Sequence, residues 1–126
     1  MRTALVFIVF ILNFSIVSIA QQKEVNNIDS KGKKQGKWIK RDENGFITYI
    51  GVFKDDLPKG AFKYYYPTND TVLKSLVIHS ADGKTTWVSN YHFNKKIMSQ
   101  GKYTDKLRDS SWVFYHEAGF KIAEEN

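Results

Sequence analysis

His92 and His116 each follow a tyrosine and lie 24 residues apart, a regularity that invites a metal-site reading. A zinc ion needs its imidazoles at about 2.0–2.1 Å. Equivalent positions one hairpin apart in a sheet are separated by about 9.6 Å, so this pair reads as repeated structure. His79 is solitary and is expected on a strand, facing water. Asp55 and Asp105 recur 50 residues apart. Both fall at loop starts, where Asp makes side-chain to backbone bonds, and nothing places them at the carboxylate separation a glycosidase needs. The serines form no Gly-x-Ser-x-Gly elbow with a His partner. Lys33-Lys34-Gln35-Gly36-Lys37 is too short for a phosphate loop, and Trp38 stands where a Mg²⁺-binding Ser or Thr would be needed. Asn69-Asp70-Thr71 is a glycosylation sequon, relevant only in a eukaryotic secretory route. No catalytic or metal-binding constellation emerges, and the chain reads as non-enzymatic and without a cofactor.

Composition narrows the classes further. The chain has 126 residues, 19 Lys and Arg against 13 Asp and Glu, and no cysteine. That length suits one domain and excludes disulfide staples, Cys-containing zinc sites and a thiol nucleophile. Met1-Arg2 followed by an apolar run from Ala4 to Leu12, ending in Ser18-Ile19-Ala20, has the form of a secretory signal peptide. Small residues at Ser18 and Ala20 place cleavage between Ala20 and Gln21. The competing reading is a retained membrane anchor, because about 17 apolar residues is the lower limit of a spanning helix. The chain divides into a signal peptide (1–20), a lead-in (21–30) and one repeat domain (31–126). Its expected location is outside the cytoplasm, periplasmic or extracellular.

The part after residue 20 holds sixteen aromatic residues, and a strand rather than a helix is their natural setting. They recur. Gly36-Lys37-Trp38 is followed 24 residues later by Gly60-Ala61-Phe62. Gly51-Val52-Phe53-Lys54-Asp55 returns 50 residues later as Gly101-Lys102-Tyr103-Thr104-Asp105, and Phe62 maps onto Trp112 at the same offset. Each unit of 24 to 26 residues reads as two short strands joined by turns such as Asp42-Glu43-Asn44-Gly45. Strands are expected at 38–41, 46–53, 62–67, 72–79, 85–93, 97–104 and 112–116, with another at 120–123. Pro58 falls in a link. Connections this short force antiparallel neighbours, so the fold class is all-β: an open antiparallel β-meander of stacked hairpins. A closed eight-stranded barrel is the alternative, against which the regular repeat counts.

On the strand period of two, Trp38, Phe62, Tyr64, Trp112 and Phe114 are expected to line one face. That row serves either sheet packing or partner binding. Lys31, Lys33, Lys34, Lys37, Lys40 and Arg41 fall within eleven residues and are expected to form a basic rim. The rim reads as a solvated edge that discourages strand pairing, or as a contact for an anionic surface.

The pieces Gly32-Lys-Lys-Gln-Gly36-Lys-Trp38, Gly51-Val-Phe53-Lys-Asp55, Gly60-Ala-Phe62-Lys-Tyr-Tyr65 and Gly101-Lys-Tyr103 resemble the MORN-repeat-variant family, which includes bacterial antitoxin-like proteins. The resemblance covers residues 28–120 and implies an elongated sheet of stacked hairpins with no shared catalytic motif. Two positions depart from the pattern. Trp87 lies one residue off the register set by Trp38, and Ser110 replaces the glycine expected before Trp112. The expected function is that of a protein-interaction or scaffold module, acting through its aromatic face and open edges. Binding to anionic lipid or polysaccharide and an antitoxin or immunity role are the alternatives. Nucleic acid and a small-molecule substrate are not expected partners.

Overall fold

Short runs of β-branched and aromatic residues, punctuated by Asp, Asn and Gly, leave the chain few options other than sequential hairpins. The computed structural model describes residues 25–126. The signal peptide, its Ala20–Gln21 junction and the start of the lead-in lie outside them. Nine strands follow one another: β1 (Asn27–Ile28), β2 (Lys34–Arg41), β3 (Ile47–Lys54), β4 (Leu57–Tyr66), β5 (Asn69–His79), β6 (Thr85–Tyr91), β7 (Ile97–Thr104), β8 (Leu107–Tyr115) and β9 (Lys121–Glu125). They form one sheet whose spatial order equals the chain order, with every pair antiparallel. The expected open meander is therefore the observed fold. Among the described residues the sheet order runs from β1 to β9 without closing into a barrel.

Two kinds of turn build it. Asp55-Asp56 and Asp105-Lys106 are two-residue connections with both φ angles positive, the type I′ signature whose twist matches that of the flanking strands. Two of the longer turns are organised by an Asp at their first residue. The Asp29 carboxylate accepts from the amides of Lys31 (2.8 Å) and Lys33 (3.0 Å), and Asp42 does the same for Asn44 (2.9 Å) and Phe46 (3.0 Å). The amide of Lys33 and the side chain of Gln35 hold the Asp29 carboxyl below the ordinary carboxylate range.

Pro58 lies inside β4 rather than in a link, opposite Phe53. It is tolerated there because β5 first meets β4 at Gly60↔His79, so residues 57–59 have no strand partner on that side. The missing N–H breaks no ladder bond.

The sheet is a single layer, and burial must come from its own side chains. Phe62 and Trp112 are 2% and 4% exposed, and Val72 is also buried. Each ring gains its shelter by lying across a glycine in the adjacent strand. A Cβ on Gly51 would stand 2.3 Å from Phe62 Cε1, and one on Gly101 would stand 2.2 Å from Trp112 Cδ2. Reaching over comes with two extra residues in the ring-bearing strand. The pairing of β3 with β4 steps from Ile50↔Lys63 to Val52↔Lys59, and that of β7 with β8 steps from Gln100↔Val113 to Lys102↔Asp109. These are two copies of one bulge, 50 residues apart, so four strands make the structural repeat.

Gly60 and Ser110 hold the same bulge position with φ of 62° and 64°. The left-handed region costs a side chain about 1–2 kcal/mol, which makes Ser110 a local weakness. Ser110→Gly is therefore expected to stabilise the fold by about 1 kcal/mol in urea unfolding, and Ala at Gly60 to destabilise it comparably.

Candidate interaction surface

Trp38, Phe62, Tyr64, Trp112 and Phe114 share the face on which the rings cross the glycines, and they form two separate clusters. Around Phe62 stand Phe53 (5.1 Å between ring centres), Tyr49 (5.9 Å), Tyr64 (6.3 Å) and His79 (5.4 Å). Trp38 joins through Phe53 at 5.9 Å, edge to face. Around Trp112 stand Tyr103 at 5.3 Å and the Arg108 guanidinium at 4.7 Å, the latter also 6.0 Å from Phe114. Such edge-on and cation–π pairs add about 0.5–1.5 kcal/mol each to area burial.

Between the clusters the paired Val77 and Val88 share the face with a polar row. Ser75, Asn90 and Ser99 are cross-strand neighbours on β5, β6 and β7. Ser75 Oγ donates to Asn90 Oδ1 (2.6 Å) and Asn90 Nδ2 donates to Ser99 Oγ (2.9 Å), which satisfies the buried Ser99. The rings of Phe62 and Trp112 are thus committed to the sheet, and Trp38, Tyr64 and Phe114 retain only part of their surface. His79, expected to face water, packs edge-on to Phe62 and is half-buried, which pushes its imidazole below the ordinary value.

The six basic residues of the first repeat are dispersed. Lys31 and Lys33 belong to the first turn, where their amides bind Asp29. Lys34 turns onto the aromatic face, its ammonium 4.8 Å from the Trp38 ring and 4.9 Å from Phe53. Lys40 faces Tyr49, Lys37 faces Val52 on the opposite side of the sheet, and Arg41 donates to the Gly45 carbonyl at the far turn. β2 separates these ends by roughly 24 Å. Chain proximity does not become a single rim.

The opposite face carries what the spacing did not reveal. Val52, Ile78 and Trp87 are 45%, 41% and 47% exposed. Ile78 and Trp87 pair directly, Lys102 follows Trp87, and Val52 stands between Lys37 and Lys59. Each bulge opens a shallow groove on this side. One of about 420 Å³ is lined by Lys37, Ile50, Val52, Ala61, Lys63 and Tyr65. Its counterpart of about 300 Å³ is lined by Trp87, Gln100, Lys102, Ser111 and Val113, each 50 residues beyond its equivalent. The signal was present in the sequence: Trp87 sits one residue off the Trp38 register, and one residue in a strand means the other face.

Chemically the surface offers apolar contact and ammonium groups. Among the described residues no three His, Cys, Asp or Glu side chains gather as a metal site. His92 Nε2 donates to the Tyr115 carbonyl at 2.9 Å, and His116 stacks on Phe120 with ring centres 4.7 Å apart. No family model, curated protein or solved structure matches the chain.

The two faces should respond differently to truncation. Trp112→Ala is expected to cost about 3–5 kcal/mol in urea unfolding. Trp87→Ala should stay within about 0.5 kcal/mol, the range of surface substitutions.

Proposed function

We propose that this chain is a non-catalytic interaction protein that works outside the cytoplasm, presenting one face of its β-sheet to another protein. One observation carries the reading: Val52, Ile78 and Trp87 stay exposed on the face opposite the packed rings. A soluble sheet gains nothing in stability from leaving a tryptophan and two aliphatic residues in water, whereas binding surfaces are built around such anchors. The stacked-hairpin architecture agrees with the MORN-repeat-variant resemblance, and repeat sheets of this kind offer extended surfaces rather than pockets. The leader-like segment Met1–Ala20 supports export.

A second reading rests on charge. Lys37, Lys59, Lys63 and Lys102 surround the exposed apolar residues, and of these only Lys102 has a carboxylate partner among the described residues, Asp109 at 3.1 Å. Tryptophan among lysines also suits an anionic lipid or polysaccharide surface.

A crosslinking pull-down from the exported and envelope fraction, at low and high salt, separates them. The first reading predicts one stoichiometric protein retained at both salts and lost with Ile78→Asp or Trp87→Asp. Recovery of only acidic lipid or polysaccharide, released by salt, would establish the second instead. Capture unaffected by either substitution would overturn the assignment of the face.

A further inference from the structure

The two grooves behind the bulges are copies in shape but not in charge. In the first, Lys37, Val52 and Lys59 stand in one row across β2, β3 and β4, and Lys63 faces Ile50 in the next row. Among the described residues none of these three lysines meets a carboxylate, and no Asp or Glu lines the groove. Fifty residues on, the same three positions are Trp87, Asp109 and Val113. The cation there, Lys102 in place of Val52, is neutralised by Asp109 at 3.1 Å. The bulge therefore forms without the lysines, and the fold does not account for them. Lys59 Nζ donates to the Ala81 carbonyl at 3.2 Å, while Lys37 and Lys63 are exposed.

We propose that the first groove receives an acidic segment of the partner protein, with carboxylates on Lys37, Lys59 and Lys63 and side-chain methylenes on the aliphatic floor of Ile50, Val52 and Ala61. This rests on the reading of the face as a protein-binding surface and names the chemistry of what binds there. The spacing suits an extended segment. The rows of Val52 and Ile50 lie roughly 7 Å apart, as do side chains two residues apart in an extended chain, and Lys37 and Lys59 flank Val52 across about 9.6 Å. The segment lies on the face and does not join the β2 edge, because Asn26 clamps that edge. Its amide donates to the Lys37 carbonyl (2.9 Å), its Nδ2 donates to the Ile39 carbonyl (3.1 Å), and its Oδ1 accepts from the Ile39 amide (2.8 Å). Ile78 pairs with Ala61, and Trp87 stands beyond it, so apolar contact begins where the lysines end. A protein can set carboxylates beside an apolar patch at one level. A bilayer holds the two at different depths, and a polysaccharide would leave hydroxyls unsatisfied on an aliphatic floor.

The test is a titration of the isotopically labelled full chain, as the cell processes it, with poly-L-glutamate at physiological ionic strength, read by amide chemical shifts. Saturable shifts are expected around Lys37, Val52, Lys59 and Lys63, with the groove at Trp87 and Val113 unmoved. The double variant Lys37→Glu/Lys63→Glu should weaken binding about tenfold or more, and Lys95→Glu, at a distant turn, should leave it unchanged. Shifts centred elsewhere, or binding indifferent to the double variant, would overturn the proposal. So would polygalacturonate or phosphatidylglycerol vesicles that bind this groove more tightly at equal charge. Failure here with a captured protein still lost on Trp87→Asp would leave the interaction reading standing. A groove that takes poly-L-glutamate in a chain that captures no protein would instead overturn that reading.

Discussion

A ring laid across a glycine in the next strand is the interaction on which this structure depends. A sheet without a second layer has nothing to pack against, and an aromatic side chain standing upright on it would remain largely wet. At Gly51 and Gly101 the absence of a Cβ lets Phe62 and Trp112 lie down. The ring then covers backbone below and is covered at its edges by Phe53, Tyr49 and Tyr64 in one case and by Tyr103 and Arg108 in the other. Burying such a ring is worth about 1.5–3 kcal/mol before its aromatic pairs are counted. The bulges at Gly60 and Ser110, the grooves behind them and the 50-residue repeat all follow from placing those rings.

This explains why the two faces differ so much. The ring-bearing face gathers the buried hydrophobic side chains Phe62 and Trp112 and closes its middle with the Ser75–Asn90–Ser99 ladder. Nothing comparable protects the opposite face, where Ile78 and Trp87 stand in water beside lysines. Stability is thus assigned to one side of a single layer of backbone, and the proposed recognition to the other. A partner can engage the exposed side without disturbing the aromatic clusters.

Much of the fold was legible in the sequence because a meander with short turns is written locally. Strand periodicity, Asp- and Gly-marked turns and the spacing of Gly51 and Gly101 sufficed for an open antiparallel sheet. The same period placed Trp38, Phe62, Tyr64, Trp112 and Phe114 on one side. What escaped was set by contacts between strands. The bulge at Gly60 and Ser110 is visible only once Ile50 and Val52 are paired with Lys63 and Lys59. Pro58 looked like a strand breaker because the staggered end of β5 cannot be seen from composition. The lysines from Lys31 to Arg41 looked like one patch because a linear count ignores that a strand alternates faces and spans its own length. The Asn26 clamp depends on a side chain meeting Ile39 thirteen residues away, for which the sequence carries no local mark.

The most direct measurement is a double-mutant cycle between Gly51 and Phe62, read by urea unfolding. If the ring truly occupies the space a Cβ would need, Gly51→Ala costs about 1–3 kcal/mol in the native chain and close to nothing once Phe62 is Ala. Equal costs of Gly51→Ala in both backgrounds would mean that the ring and the glycine do not depend on each other, and would contradict this account of how the sheet is held.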